Sequence, residues 1–311
     1  MLKFLLLLIA LTQISLAQAQ RTDGLTHKPD TSFSNYSAYI KAKKYYPNIK
    51  LVKDSLPPSV KADKDITYTT VNGTTVKLDV FYPKKAKAKS LSAIMIIHGG
   101  GWRSGNRTQH YPLAQRLAEK GYVCITPAYR LSTDALYPAA VEDLSVALKW
   151  IKANARKYKV DTAKIVSLGF SAGGQLATLL GTTQPGIRAI VDIDGTLAFI
   201  HPESGEGDDS KSISAGTYWF GYNKTERPDL WKEAGALSNA GPNTPPTLFI
   251  NSSVDRMHAG RTDYINILSG SNIYTEVHTF PDSPHTFCLF EPWFTPTVNY
   301  IVNFLEKVYK K

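Results

Sequence analysis

A serine flanked by glycines stands in the sequence GFSAG at residues 169–173. A run with the character of a strand, Lys164–Gly169, precedes it, and a run of small, helix-compatible residues follows over 172–180. At a sharp turn from strand to helix, glycines leave room for the backbone, and the residue between them is presented at the carboxyl end of the strand. This context predicts that Ser171 is a nucleophile and that the motif is more than a tight turn.

A serine hydroxyl needs a nearby imidazole to take its proton before it can attack a carbonyl group. His285 lies in the sequence SPHTF, directly after the last predicted strand, 273–280. The other histidines that follow Ser171 lie inside a strand, at the start of a helix or in an irregular segment, and we interpret them as structural or substrate-facing: His201, His258 and His278. His285 is therefore the predicted general base.

A carboxylate that orients the imidazole is the third requirement of this chemistry, and the chain order serine, acid, histidine limits the search to residues after 171. Asp255 lies just past the predicted strand Thr247–Asn251 and thirty residues before His285. It is the predicted acid, with Asp282 and Asp263 as the alternatives.

A glycine-rich segment with the sequence HGGGW occupies residues 98–102, after the almost wholly apolar run Ser92–Ile97. Glycines allow the backbone to approach a reacting group closely, and backbone N–H groups can stabilise the negative charge that develops on a carbonyl oxygen. The predicted donors of such an oxyanion hole are Gly100, Gly101 and Ala172.

These residues need a scaffold that brings distant loops to one edge. Two β-branched runs, 66–71 and 75–82, flank Asn72-Gly73 and predict an antiparallel hairpin. Strands and helices then alternate, which predicts a mostly parallel central sheet with helices on both faces, an α/β class. We expect an N-terminal extension over 20–65, one domain over 66–311, and a small lid insert at about 198–240.

The N-terminus has the pattern of a secretory signal peptide over residues 1–19. Lys3 precedes the apolar run Phe4–Leu11, and Ala17-Gln18-Ala19 supplies a small-residue cleavage signal. A membrane-spanning helix needs about 20 apolar residues, which this run does not reach. We therefore expect a periplasmic or secreted protein without a stable membrane anchor.

Composition excludes several classes of protein. The chain has 311 residues, of which 43% are hydrophobic and 20% charged, so a disordered or collagen-like chain is excluded. Its two cysteines are too few for a disulfide scaffold. The formal charge of +10 favours anionic partners, and because no nucleic-acid-binding motif is present, the expected partner is an acidic, ester-bearing polysaccharide or oligosaccharide and not a nucleic acid.

No cofactor or metal is required by this chemistry. Four acidic residues lie close together within the predicted insert, and we interpret them as a solvated loop in preference to a calcium site: Glu203, Glu206, Asp208 and Asp209. Trp102, Tyr218 and Trp219 are aromatic residues that could stack on sugar rings, and we expect them to contact substrate. Buried packing within the lid is the alternative for the aromatic residues of the insert.

Taken together, HGGGW, GFSAG, Asp255 and His285 resemble the α/β-hydrolase fold of the carboxylesterase type over residues 66–311. That resemblance implies a structural role for Asp143, bracing the chain against Arg130. The segments DGTLAF at 194–199 and FPDSPH at 280–285 are more similar to exported bacterial polysaccharide esterases, including pectin esterases.

The resemblance implies a serine esterase, with pectin methylesterase as the leading expectation. Acetyl esterase activity on pectin or xylan and feruloyl esterase activity are the alternatives, because the same groups would cleave each of these esters. Two other classes stay open: an exported peptidase on the same fold, and a glycan-binding module without catalysis.

Overall fold

The computed structural model describes residues 19–86 and 88–310. The predicted signal peptide, except Ala19, lies outside these residues. Across the described ranges, no helix is both long enough and apolar enough to cross a membrane.

The strands form one large sheet and one small two-stranded sheet. The large sheet has the order β2-β3-β5-β4-β6-β7-β8-β9, and β1 pairs with β10 in the small one. In the described ranges the strands are β1 (Lys50–Leu51), β2 (Val60–Val71), β3 (Thr74–Pro83), β4 (Leu91–Ile97), β5 (Val123–Pro127), β6 (Val160–Phe170), β7 (Ala189–Ile193), β8 (Thr247–Asn251), β9 (Thr275–Thr279) and β10 (Phe290–Glu291).

The helices in the described ranges lie after β4, between or beyond the strands of the large sheet, except for one helix that precedes β1. They are α1 (Asn35–Lys43), α2 (Tyr111–Glu119), α3 (Ala139–Ala153), α4 (Ala155–Tyr158), α5 (Ala172–Thr183), α6 (Ala215–Phe220), α7 (Pro228–Glu233), α8 (Arg261–Gly270) and α9 (Phe294–Lys310).

The predicted hairpin is confirmed. Strands β2 and β3 pair antiparallel, and Val71 faces Thr74 across the turn. Asn72 and Gly73 both have positive φ, 49° and 81°, which is the left-handed conformation that a two-residue hairpin turn requires. Strand β2 begins at Val60, six residues before the predicted start, so the hairpin reaches into the region expected to be an extension.

The predicted mostly parallel sheet is also confirmed. Pairing is parallel from β5 through β4, β6, β7 and β8 to β9. Side chains of β4 alternate between two hydrophobic clusters: Ile94 packs with α2 and α9 on one face, and Met95 packs with α3 and α5 on the other. Because both faces are covered, β4 is apolar and buried from Ala93 to Ile97, as central parallel strands are.

Parallel strands place all their carboxyl ends at one edge. The loops after β4, β6, β7 and β8 therefore meet there, together with the segment after β9. Part of the predicted insert, including α6, lies over this edge, since Gly205, Glu206 and Ala215 line the same cavity as Ser171.

Candidate active site

Ser171 occupies a strained turn between β6 and α5. Its φ of 56° and ψ of −124° lie in a region that side-chain-bearing residues rarely adopt. The Ser171 amide donates to the Ile193 carbonyl at 2.8 Å, which fixes the turn against β7. A side chain at Gly173 would collide with the backbone of Ile97 and His98. The local fold therefore requires glycine at position 173, and Ser171 lines the cavity at the end of the strand.

His285 reaches Ser171 from the loop after β9. Its Nε2 lies 2.9 Å from Ser171 Oγ, and its ring packs beside Phe170 with centroids 4.9 Å apart. The loop is tied to the segment after β8, because Ser253 Oγ donates to the Ser283 carbonyl at 2.8 Å. The structure thus brings together the predicted nucleophile and the predicted base.

The carboxylate beside His285 belongs to Asp194 and not to Asp255. Asp194 Oδ2 lies 2.9 Å from His285 Nδ1, and the Asp194 side chain is fully buried. The prediction that Asp255 orients the imidazole is therefore wrong for this structure. Asp255 opens a short 3₁₀ turn, Asp255–His258, whose first residue is exposed to solvent.

The alternative acids do not reach the imidazole either. Asp282 is exposed, and Asp263 lies 3.3 Å from His201 Nε2, away from His285. Asp194 directly follows β7 and has a φ of +51°, so the backbone turns sharply at the residue whose carboxylate meets the histidine loop.

The Asp194 carboxylate is held by several donors. Its Oδ1 accepts from the Ser252 amide at 2.7 Å and lies 3.3 Å from His258 Nε2. Burial by itself raises the pKa of Asp194, but the hydrogen bonds from His258, His285 and Ser252 outweigh burial and lower the pKa to about 2. The side chain is therefore a carboxylate at neutral pH, although it is shielded from solvent.

The glycine-rich loop after β4 lies beside the serine. Gly100 and Gly101 have φ values of 126° and 60°. The Ser104 amide and hydroxyl both donate to the Gly100 carbonyl at 2.9 Å, which closes the loop on itself. Gly101 and Ala172 line the cavity with Ser171, whereas Gly100 is not among the lining residues. The predicted oxyanion hole thus stays a prediction, with the Gly101 and Ala172 amides the better placed donors.

The cavity has a volume of about 300 Å³ and opens at the carboxyl edge of the sheet. It combines the reactive groups with residues of the lid insert and of the turn after β8. Its lining residues are Gly101, Trp102, Ser171, Ala172, Thr196, Gly205, Glu206, Ala215, Arg256, Met257 and His285.

The predicted aromatic contacts to substrate need correction. Trp219 is fully buried, because its ring stacks on Trp102 at 4.8 Å with the planes 9° apart, so Trp219 cannot offer a face to a sugar. Tyr218 lies under the Arg103 guanidinium at 4.5 Å and is not a lining residue of the cavity. Trp102 lines the cavity but is only 3% exposed, and its Nε1 donates to Gln175. The alternative of buried packing within the lid is the one observed for Trp219.

Other predicted structural features have clear positions. Asp143 accepts hydrogen bonds from the Arg130 amide and guanidinium at 2.8 and 2.9 Å, which confirms the expected brace.

Both cysteines, Cys124 and Cys288, are buried and free. Asp209 accepts from Ser214, Thr217 and Asn223 within the insert. No group of three or more His, Cys, Asp or Glu side chains placed to hold a metal ion occurs among the described residues.

From the sequence, Asp194 was not identified as the acid, His258 as a partner of that acid, or Arg256 as a residue of the cavity. Asp194-Gly195 follows a β-branched run directly, which is a usable signal because that position lies at the carboxyl edge of the sheet. His258 and Arg256 had no such signal, since the contact of His258 with Asp194 and the place of Arg256 at the cavity depend on how the chain coils after β8.

Comparison with known proteins finds related esterases. The family model BD-FAE matches residues 78–259, more than half of the chain. Esterase LipC of Mycobacterium tuberculosis is 28% identical over 264 residues, covering 75% of this chain and 62% of LipC, which is less than two thirds of that protein's length. Versiconal hemiacetal acetate esterase of Dothistroma septosporum is 26% identical, covering 86% of this chain and 85% of that enzyme.

A solved structure described as a truncated carbohydrate esterase from gut microbiota superposes with a TM-score of 0.67 at 18% identity. The superposition covers 83% of this chain and 100% of that one. At this identity the likeness concerns the fold, which is the α/β-hydrolase fold expected from the sequence.

Proposed function

Because the chain belongs to the BD-FAE family of α/β-hydrolase esterases, we propose that it hydrolyses carboxylic esters through Ser171, His285 and Asp194. The observation that carries this proposal is the hydrogen-bonded series from Ser171 Oγ through the imidazole to the Asp194 carboxylate, with 2.9 Å at each step. The predicted nucleophile and base keep their roles in this mechanism, and Asp194 replaces Asp255 as the acid.

The acylation step depends on the orientation of the imidazole. With a proton on Nδ1 donated to Asp194, Nε2 of His285 is free to accept the Ser171 hydroxyl proton. Ser171 Oγ then bonds to the ester carbonyl carbon, whose oxygen gains the negative charge. N–H groups of the glycine loop and of Ala172 stabilise that oxygen. The C–O bond to the alcohol breaks, and the imidazolium returns its proton to the departing oxygen.

Deacylation repeats these steps with water. His285 takes a proton from water, the hydroxide oxygen bonds to the acyl carbon, and Ser171 leaves with the proton from the imidazolium. The products are a carboxylic acid and an alcohol, and the enzyme returns to its starting state. Throughout, the ionised Asp194 stabilises the positive charge that appears on His285.

For the substrate we propose an ester on a plant cell-wall polysaccharide, with the methyl ester of polygalacturonate first and acetyl or feruloyl esters as alternatives. The likeness in fold to a carbohydrate esterase supports a sugar ester. The formal charge, +10 for the whole chain and +9 once the segment containing Lys3 is removed, supports an acidic glycan, since a positive surface concentrates anions. Export after removal of residues 1–19 belongs to the same proposal, because such a polymer lies outside the cell.

A fluorophosphonate probe tests the mechanism directly, because it reacts covalently with an activated serine. We expect labelling of the wild type, and no labelling of Ser171→Ala. Ester turnover by Ser171→Ala should fall by about 10³-fold or more, since triad members act as a unit. A folded wild-type protein that takes no label would contradict the mechanism and favour a glycan-binding module.

The ester is identified by quantifying released products. Methylated pectin, acetylated pectin, acetylated xylan and feruloylated arabinan are supplied in parallel, and methanol, acetate and ferulate are each measured. Methanol from pectin as the dominant product is the expected result. Dominant acetate or ferulate would replace the methyl ester by one of the alternatives while leaving the mechanism in place.

A further inference from the structure

Arg256 is a charged group at the edge of the ester cavity that the hydrolytic mechanism does not use. It lies in the 3₁₀ turn after β8, next to Met257, and both side chains line the cavity that contains Ser171 and His285. Among the described residues that line the cavity, Arg256 is the one arginine or lysine, and Glu206 is the one carboxylate. A ligand held at Ser171 therefore lies within the field of this guanidinium.

The guanidinium is oriented but not saturated. Arg256 Nη1 lies 3.3 Å from Glu206 Oε1. Within the described part of the chain, this is the one polar contact of the Arg256 side chain. The Arg256 side chain is 56% exposed, against 17% for Glu206. An arginine carries five N–H donors in a planar fork, so one contact through Nη1 leaves most of the donors available.

Neighbouring residues hold Arg256 in this position. The backbone of Gly205 packs on the aliphatic part of the side chain, since a Cβ built on Gly205 would come within 3.3 Å of Arg256 Cδ. The Lys224 ammonium donates to the Glu206 carbonyl at 3.0 Å, which anchors the loop that carries Glu206. The more buried Glu206 thus holds one end of the guanidinium, and more than half of the Arg256 side chain stays exposed at the cavity.

We propose that Arg256 binds a carboxylate on the sugar next to the one that bears the scissile ester, and so selects uronate-containing substrates. A planar guanidinium binds a planar carboxylate through two parallel hydrogen bonds, a geometry that neutral sugar hydroxyls do not offer. This inference rests on the proposed function for the location of the scissile ester. It adds the residue that would distinguish an acidic glycan from a neutral one.

Binding in the absence of turnover tests the inference. In a Ser171→Ala background, calorimetry compares trigalacturonate with its fully methyl-esterified form, two ligands that share a backbone and differ in charge. We expect trigalacturonate to bind roughly tenfold more tightly, and Arg256→Gln to reduce this preference to about twofold or less. Arg256→Lys keeps the charge but not the fork, and it should give an intermediate preference.

Arg227→Gln is the matched control. Arg227 is a partly exposed arginine of the insert that pairs with Asp229 at 2.7 Å and does not line the cavity. Its substitution removes the same charge and should leave the preference for trigalacturonate unchanged. Circular dichroism verifies that each variant is folded. If Arg256→Gln does not fold, Arg256→Lys is used in its place to test the preference for trigalacturonate.

Three results would overturn the inference: no measurable binding of trigalacturonate, equal binding of the two ligands, or a preference that survives in Arg256→Gln. None of them bears on the esterase mechanism, which stands or falls with the labelling of Ser171. A protein that takes the fluorophosphonate label but ignores ligand charge would remain an esterase without this selectivity.

Discussion

Two neighbouring loops at the carboxyl edge of the sheet each carry an aspartate that could serve His285. In the loop after β7, Asp194 comes immediately after the strand and is fully buried against the imidazole. In the segment after β8, Asp255 comes four residues after Asn251 and is exposed. Both satisfy the chain order serine, acid, histidine, yet one alone makes the contact.

The two loops differ in how the chain leaves its strand. After β7 the positive φ of Asp194 turns the chain at once, and the Gly195 amide donates to Asp192 Oδ1 at 2.8 Å to hold that turn. After β8 the chain coils into the turn that begins at Asp255, which brings His258 inward to the Asp194 carboxylate. The second loop therefore supports the acid of the first.

The assignment of Asp194, and not Asp255, as the acid is tested most directly by neutralising each aspartate in turn. Asp194→Asn should lower kcat for a chromogenic ester by about 10³- to 10⁴-fold, because an amide cannot stabilise the imidazolium or select its tautomer. Asp255→Asn should stay within about twofold of the wild type, since the Asp255 side chain is exposed. The measurement is steady-state kinetics of both variants in the same preparation series.

The reverse pattern, with Asp255→Asn inactive and Asp194→Asn active, would return the acid to the turn after β8. Fluorophosphonate labelling of Asp194→Asn separates loss of activation from loss of fold, because a slow but complete reaction requires an intact Ser171 turn.

The stability of the fold at low pH also distinguishes Asp194 from Asp255. Asp194 has a pKa lowered to about 2 from its ordinary 3.8, so its ionised form stabilises the folded state at pH above 3.8, and this stability is lost as the pH falls toward 2. The shift corresponds to about 2 kcal/mol. Asp194→Asn should therefore be less stable than the wild type at pH 6 and nearly equal to it at pH 2, as measured by urea unfolding.

The contributions of other acid-sensitive groups should cancel in the stability difference between wild type and Asp194→Asn. Burial lowers the pKa of His98 to about 4 and that of His110 to about 3, so both weaken the fold as the pH falls below 6.5. They are present in wild type and variant alike. A stability difference that stays constant from pH 6 to pH 2 would contradict the role of Asp194 as a buried carboxylate, and Asp255→Asn should follow the wild-type curve.

An effect smaller than that of Asp194→Asn is expected at His258, which links the two loops. Removing its contact of 3.3 Å with Asp194 in His258→Ala should lower kcat by roughly tenfold, the scale of one hydrogen bond to a charged group. His258→Asn, which keeps an N–H donor, should recover part of the loss. A KM that rises while kcat holds would instead place His258 in substrate binding.

Much of the fold was predictable because hydrophobic patterning sets it. The apolar run at β4, the Asn72-Gly73 turn and the alternation of strands with helices each follow from local sequence. Ser171 and His285 were predictable for a related reason, since the glycines of the turn and the position after the last strand restrict where a nucleophile and a base can lie.

The acid and the aromatic residues were not predictable in the same way. The position of Asp194 directly after β7 marks it as a candidate, but the choice between Asp194 and Asp255 depends on how the chain leaves β7 and β8, which residue spacing does not encode. Trp219 has an aromatic ring of the kind that stacks on sugars. Tertiary packing decides whether that ring faces substrate or Trp102, and here it faces Trp102.

The stack of Trp102 on Trp219 has a kinetic consequence. It joins the glycine-rich loop to helix α6 through two buried indoles, and Trp102 is tied further to Gln175 on α5. Moving the insert away from the cavity would expose both apolar rings to water, which is unfavourable. We therefore expect the insert to stay in place as one wall of the cavity. Turnover of dissolved esters should accordingly follow simple saturation, with no lag and no stimulation by an oil–water surface.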